Sequence, residues 1–136
     1  MIRGSCLCGA VRFEYSRAVT QVGMCHYSQC RKVSGVASNA VIVVPETELR
    51  WLSGEELRQE FAKPSGWGST FCRSCGSPLP RKLPNAAAYW VPAGVLDDDP
   101  GLRIGGHIFV GSKASWDEIA GEAPQFEAGI PRKGKA

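Results

Sequence analysis

The chain has 136 residues, of which 43% are hydrophobic and 21% charged, and its formal net charge is +3. This length fits one domain of ordinary globular composition, and so low a charge argues against nucleic acid as a partner. No apolar run reaches the roughly 20 residues of a membrane span, and the first residues contain no continuous hydrophobic segment of a secretory signal. We therefore expect a cytoplasmic protein that binds neither nucleic acid nor a membrane.

The residue patterns, taken in chain order, predict an all-β domain. Val11, Phe13 and Tyr15 alternate with polar residues, as in a half-buried strand. Further strands are predicted at residues 40–44, 49–52, 57–62, 66–71, 88–91 and 103–110. Little helix is expected beyond one turn within 28–34 and another within 113–119. The domain is predicted to span residues 1–128, followed by a loose tail over 129–136.

Four of the six cysteines form two short pairs, and a glycine directly follows each pair. Cys6 and Cys8 are separated by one residue, and Cys72 and Cys75 by two. In a reducing compartment, thiols at such spacings are metal ligands more often than they are disulfides. A zinc ion bound by four thiolates has no position for water, so its role is structural. We therefore predict one structural zinc at these four cysteines.

Residues 25–32, taken with the cysteine segments at 4–13 and 71–76, resemble the glutathione-dependent formaldehyde-activating enzyme family, which also includes centromere protein V. Residues 95–98 and 107–116 resemble later segments of the family, in the same order. The resemblance implies coiled, mostly antiparallel β-sheets and the same four-cysteine zinc. It also implies a second zinc, held by three cysteines with an open fourth position. The activity it implies is the reversible addition of a thiol, such as glutathione, to formaldehyde.

The chain departs from this family pattern at Tyr27, where the middle cysteine of the second motif would stand. A phenol has a pKa near 10 and must lose its proton to bind zinc well. Only Cys25 and Cys30 match the family's ligands, and the side chain of His26 would point away from Cys25 on an extended segment. We therefore expect a weak or absent second zinc; the alternative is a metal that Cys25 and Cys30 bind with help from His26, Tyr27 or a substrate thiol. Cys25 and Cys30 are the candidate ligands and the candidate catalytic residues.

Several functions are compatible with these residues. The first is a carbon–sulfur lyase that acts on glutathione–aldehyde adducts of the S-hydroxymethylglutathione type, with Arg31, Lys32 and Lys113 attracting the glutathione carboxylates. The second is a non-catalytic module, cross-linked by zinc, that binds a small molecule or a protein. In a third interpretation Cys25 and Cys30 are a redox or reactive thiol pair, and in a fourth they are simply buried. A nucleic-acid-binding zinc ribbon ranks last, because the first cysteine pair has the wrong spacing and the net charge is low.

Two other residues within the family-like segments have simpler interpretations. His107 lies in an apolar strand pattern, which favours a core or surface histidine over a metal ligand. Trp116 is expected to be a packing residue. The run of residues 97–101 is rich in aspartate, proline and glycine, which predicts a turn rather than a cation site.

Overall fold

The computed structural model of the chain describes residues 1–16 and 19–130. It is mostly β-structure with one short α-helix, which confirms the predicted fold class. The predicted tail beyond residue 130 lies outside the described residues. The described elements are β1 (Ile2–Ser5), β2 (Arg12–Tyr15), β3 (Gln21–Cys25), α1 (Ser28–Ser34), β4 (Asn39–Pro45), β5 (Leu49–Ser53), β6 (Arg58–Ala62), β7 (Gly68–Cys72), β8 (Arg81–Lys82), β9 (Ala88–Pro92) and β10 (Arg103–Ile108).

The strands form three sheets within the described ranges. One sheet has the order β1-β2-β5, the largest has the order β10-β3-β4-β9-β8, and β6 pairs with β7. Pairing between the named strands is antiparallel except for β3 with β10, which is parallel. The parallel pair matters for the site, because it places the end of β3 beside the end of β10 with Cys25 opposite Ile108.

Alternation along the central strands builds the main hydrophobic core. Phe13 and Tyr15 on β2 and Ile42 and Val44 on β4 are all almost fully buried, as expected for side chains on one face of each strand. The buried members of this core cluster are Ile2, Phe13, Tyr15, Val22, Ile42, Val44, Leu49 and Val91. This cluster contains no cysteine, and it joins the largest sheet to its neighbour mainly through apolar contacts.

The single helix forms where one was predicted. It ends at Gly35, whose φ of 70° lies in the left-handed region and whose N–H donates to the carbonyl of Arg31 over 2.8 Å. No helix that the structure describes is long and apolar enough to span a membrane.

The second predicted helical turn, within residues 113–119, is wrong. A 3₁₀ turn ends before it, at Ser112, and only a short turn follows. The chain leaving β10 pairs instead with the segment near residue 126, where the N–H of Phe109 donates to Ala128 and that of Val110 to Phe126. These long-range backbone bonds outweigh the weak local preference for helix.

Candidate functional site

The two cysteine pairs meet at one point, between the end of β1 and the end of β7. The ligand atoms of the four residues all lie within 4.8 Å of one another. The Sγ atoms of Cys6 and Cys8 are 3.5 Å apart, and those of Cys8 and Cys72 are 3.9 Å apart. A tetrahedral zinc with sulfurs at 2.3 Å would hold them about 3.8 Å apart. The cluster of Cys6, Cys8, Cys72 and Cys75 is therefore suitable for a structural zinc.

Each cysteine pair lies on a tight turn that its following glycine allows. Gly9 and Gly76 have φ angles of 77° and 78°, a left-handed conformation that side chains disfavour. The N–H of Gly9 donates to the carbonyl of Cys6 over 2.9 Å, and the N–H of Gly76 donates to that of Cys72 over 2.8 Å. These turns bring sulfurs together that an extended strand would hold roughly 6.6 Å or more apart.

Hydrogen-bond donors around the cluster favour the thiolate form that zinc needs. The N–H of Val11 donates to the Sγ of Cys6 over 3.3 Å. The hydroxyl of Ser77 lies 3.5 Å from the Sγ of Cys75. This side-chain contact, together with the backbone N–H of Ser77, lowers the pKa of Cys75 to about 5. A thiolate that is already favoured binds zinc with less proton release.

The remaining two cysteines, Cys25 and Cys30, form a second and separate thiol pair. Cys25 ends β3 and Cys30 lies in α1, and their Sγ atoms are 3.1 Å apart. Both side chains are buried. When Cys25 is ionised, the hydrogen bond from Cys30 lowers the pKa of Cys25 to about 7. The same hydrogen bond, followed by burial, raises the pKa of Cys30. Cys25 is therefore the thiol of this pair that ionises first, with a midpoint near neutral pH, and Cys30 is the one that keeps its proton.

The neighbours of this pair leave it with two metal-ligating atoms rather than three. Across the described ranges, the four-cysteine cluster is the one set of three or more histidine, cysteine or acidic residues close enough to share a metal. The hydroxyl of Tyr27 accepts a hydrogen bond from Gln29 over 3.0 Å, and its ring packs against Phe109 with centroids 5.0 Å apart. Tyr27 is thus held by its own contacts beside the thiols.

A cavity of about 720 Å³ opens beside the thiol pair and Tyr27. Its walls are mostly apolar and aromatic. The larger apolar side chains in the wall belong to Val33, Trp67, Phe71, Pro78, Leu79, Leu83, Pro84, Trp90, Pro92 and Phe109. Volume and lining are those expected of a site for a small, largely apolar ligand.

The cavity wall contains one arginine and, among the residues that the structure describes, no lysine or acidic residue. The Nε of Arg81 lies 3.2 Å from an oxygen of Glu60, and its Nη2 donates to the carbonyl of Gly66 over 2.9 Å. The three cations expected to attract glutathione are not in the wall. Arg31 donates to the carbonyl of Ser112, Lys113 donates to that of Asp117, and Lys32 lines a separate groove beside Trp116.

A buried pair of histidines lies behind the thiols, and the sequence did not indicate it. His26 and His107 are 81 positions apart, yet Nε2 of His26 lies 2.9 Å from Nδ1 of His107. Burial, and then the neighbouring His107, lowers the pKa of His26. Asp117 is 3.8 Å from the other ring nitrogen of His26. The pair exists because β3 and β10 run parallel, and that long-range pairing has no local signature in the residues.

The other residues with a sequence prediction, together with three further tryptophans, divide between the core, the cavity and the surface. His107 is buried, as expected. Trp67 and Trp90 line the cavity, whereas Trp51 packs edge-on against Phe13 in the core. The expectation that Trp116 packs is wrong, because 73% of its surface is exposed. Asp97 and Asp98 form bends, and the N–H of Gly101 donates to the side chain of Asp99, which agrees with the predicted turn.

This fold and this cluster define a β-rich protein with a four-cysteine centre of the structural-zinc type. Compared with known protein families, residues 1–112 match the family described as "Glutathione-dependent formaldehyde-activating enzyme". The chain belongs to that family, and the matched residues include both cysteine pairs as well as Cys25 and Cys30.

A solved crystal structure of a Rhodobacter sphaeroides protein, a structural genomics target, is similar to this chain. The TM-score is 0.62 at 20% sequence identity, and the match covers 90% of this chain and 98% of that chain. At this identity the likeness extends to the fold alone. No curated protein matches the sequence.

Proposed function

We propose that this protein is a carbon–sulfur lyase for thiol–aldehyde adducts of the S-hydroxymethylglutathione type, with Cys25 and Cys30 as the catalytic residues. The observation that carries the proposal is a pair of buried thiols, with sulfurs 3.1 Å apart, that lines a cavity of about 720 Å³. The reaction splits the adduct into a free thiol and an aldehyde. It needs one group that accepts a proton and one that supplies a proton, and no redox step.

The two thiols match these two tasks. The Cys25 thiolate accepts the proton of the adduct's hydroxyl group, the carbonyl forms, and the carbon–sulfur bond breaks. The Cys30 thiol gives its proton to the leaving sulfur. The proton on Cys25 then passes to Cys30 along the 3.1 Å hydrogen bond, and the starting state is restored. General acid–base catalysis of this kind contributes about 10²–10⁴-fold to a rate.

The cavity walls suit the substrate in two respects. Aromatic and aliphatic side chains line the cavity, and with a substrate bound they would exclude water from the reacting carbon and strengthen the interactions of a charged thiolate. Arg81 is the cation in the wall that is available to a substrate carboxylate, although Glu60 already neutralises part of its charge. Other small thiol adducts with fewer charges than glutathione therefore fit the same proposal.

The position of Tyr27 is the reason that the proposed mechanism relies on the two thiols rather than on a second zinc. The family's second zinc would act as a Lewis acid with three protein ligands. Here the described residues offer two thiols, and Tyr27 is packed against Phe109 instead. The four-cysteine cluster would hold a zinc of structural role, and none of its cysteines lines the cavity.

Exchange NMR tests the lyase proposal directly. The zinc-loaded protein is mixed with glutathione and formaldehyde, and the rate of exchange between free and hydroxymethylated glutathione is measured. We expect catalysis above the spontaneous rate, with a loss of about 100-fold or more in Cys25→Ser and Cys30→Ser. Val36→Ala, outside the cavity wall, is the control and keeps the wild-type rate. Exchange at the spontaneous rate with the wild-type protein would exclude the lyase.

The second candidate function is a non-catalytic module that binds a small molecule or a protein. The packed, hydrogen-bonded position of Tyr27 favours it, since nothing in that arrangement requires a reaction. Calorimetry with S-methylglutathione, which resembles the adduct but cannot be cleaved by this route, separates the two functions. Binding without any catalysed exchange would favour the module, and binding together with catalysed exchange would favour the lyase.

A further inference from the structure

We propose that Cys25 and Cys30 also form a reversible disulfide, by exchange with a low-molecular-weight disulfide that enters the cavity. This redox function differs from the lyase and does not depend on it. The starting observation is that both cysteines are free and that their Sγ atoms lie 3.1 Å apart. A disulfide bond is about 2.05 Å long, so the sulfurs need to approach by only about 1 Å.

The backbone around the pair favours a local closure. Cys25 is the last residue of β3, and Cys30 is the third residue of α1, so one short junction connects them. The N–H of His26 donates to the carbonyl of Ile108, which fixes the end of β3 against β10. Closure therefore requires a shift of only about 1 Å in the first turn of α1, with the end of β3 held against β10.

The four clustered cysteines and the Cys25–Cys30 pair differ in their protection against oxidation. The four clustered cysteines fit a closed zinc site, and a zinc-bound thiolate is held by its metal. Cys25 and Cys30 have no third histidine, cysteine or acidic group within reach among the described residues. An unprotected neighbouring pair reacts with oxidants more readily than a metal-bound set.

The burial of Cys25 and Cys30 limits the size of the oxidant that can reach them. Cys25 and Cys30 are only 2% and 5% exposed, so a disulfide on another folded protein cannot reach them. Both nonetheless border the cavity of about 720 Å³, which is large enough for one small organic disulfide. Because the two sulfurs are accessible only through the cavity, a small disulfide is favoured over a protein disulfide as the oxidant.

The exchange balances in two steps. The thiolate of Cys25 attacks one sulfur of the small disulfide, forms a mixed disulfide and releases the first small thiolate, which takes a proton from water. Cys30 then loses its proton to solvent and its thiolate attacks the sulfur of Cys25, the mixed disulfide breaks, and the second small thiolate leaves and takes up a proton from solvent. The pair is oxidised by two electrons, and one small disulfide is reduced to two thiols.

Oxidation would remove both groups that the proposed lyase uses, so the disulfide form would be inactive as a lyase. This consequence rests on the proposed function. The exchange itself rests only on the distance, the burial and the cavity.

Redox titration of the zinc-loaded full chain tests the proposal. The protein is equilibrated with glutathione and glutathione disulfide at graded ratios, quenched with acid, alkylated and measured by intact mass and peptide mapping. We expect the wild-type chain to lose two alkylatable thiols, with a bridge between Cys25 and Cys30 and no loss of zinc. Reduction by excess glutathione should restore both thiols.

Two variants of Cys30 test whether this residue is the thiol that closes the disulfide. Cys30→Ser removes the resolving thiol, so the reaction should stop at one glutathione attached to Cys25. Cys30→Ala serves the same purpose if the serine variant does not fold. Absence of the bridge in the wild-type chain at every ratio would overturn the proposal, and so would bridges that form only among the four clustered cysteines with release of zinc. A bridge without catalysed adduct exchange would overturn the lyase alone.

Discussion

At the residue scale, one hydrogen bond gives two chemically identical side chains different proton affinities. Cys25 ends a strand and Cys30 lies in the following helix, and their sulfurs are 3.1 Å apart. Ionisation of either one is stabilised by the proton of the other, so the first ionisation is made easier and the second harder. The pKa of Cys25 is lowered to about 7 from the ordinary 9.0 as a result.

This difference predicts the pH profile of alkylation. The rate of Cys25 modification by iodoacetamide follows its thiolate, so it should rise through a midpoint near pH 7, and stay low in more acidic solution. In Cys30→Ala the hydrogen bond that lowers the pKa most is lost while the burial remains, so the midpoint should move to higher pH. Peptide mapping by mass spectrometry gives the rate at each pH. Equal midpoints in the two proteins would show that the hydrogen bond has no such effect.

Tyr27 carries the second prediction at this scale. Its replacement by cysteine puts a third thiol beside Cys25 and Cys30, and three cysteines are enough to hold zinc with one open position. Tyr27→Cys should therefore raise the zinc content by about one ion per chain, measured by elemental analysis against protein concentration. Tyr27→Phe is the matched control and should leave the content unchanged. A wild-type chain that already binds two zinc ions would contradict the prediction.

At the scale of elements, the close approach of the β5–β6 connection to the first cysteine turn depends on a glycine. Gly54 has a φ of 73°, and a Cβ atom built there would lie 2.3 Å from the carbonyl oxygen of Ala10. Gly35, at the end of α1, has a φ of 70° but nothing within 4 Å of such an atom. The two glycines therefore share their backbone conformation and differ in the available space.

Alanine substitutions at these two glycines distinguish the cost of a left-handed backbone conformation from the cost of a steric clash. Gly35→Ala should lower the free energy of unfolding by about 1–2 kcal/mol, the cost of a left-handed residue with a side chain. Gly54→Ala should lower it by a further 1–3 kcal/mol or so, because the backbone of Ala10 must move. Urea unfolding followed by tryptophan fluorescence measures both. Equal losses in the two variants would show that the collision is relieved without cost.

Elements with strong local patterns were predictable from the sequence, and elements that depend on distant partners were not. The alternation in β2 and the β-branched run of β4 gave strands at the right residues, because each residue's environment follows from its own neighbours. β3 contains Gly23 and Met24 and has no clear alternation of polar and apolar residues, so the sequence pattern does not predict this strand. Its identity as a strand comes from pairing with β4 on one side and β10 on the other.

The candidate site divides in the same way. The four-cysteine cluster was predictable because its spacing and its glycines encode the turns themselves. Proximity of Cys25 to Cys30 was also predictable, since they are close in the sequence. The cavity was not, because its wall joins Trp67, Trp90 and Phe109 from three separate parts of the chain. No local pattern records which aromatic residues will face one another.

At the scale of the whole molecule, the four-cysteine cluster closes a large part of the chain into a loop. Cys8 and Cys72 are 64 positions apart, and the segment between them contains β2 to β7 and the helix. A cross-link over a loop of this length removes conformational freedom worth about 4 kcal/mol from the unfolded chain. None of the eight buried residues of the main core is a cysteine, so we expect this core to persist when the metal is removed.

Zinc removal should therefore destabilise the protein without unfolding it. Dialysis against a strong chelator is expected to lower the free energy of unfolding by roughly 4 kcal/mol, with the β-type circular dichroism spectrum retained. Cys75→Ser should reproduce this loss, because three thiolates hold the metal less firmly than four. Cys25→Ser, outside the cluster, should lower the free energy of unfolding much less and should keep its zinc. An unchanged unfolding midpoint after zinc removal would mean that the cross-link contributes nothing, and complete unfolding would mean that the core cannot support the fold alone.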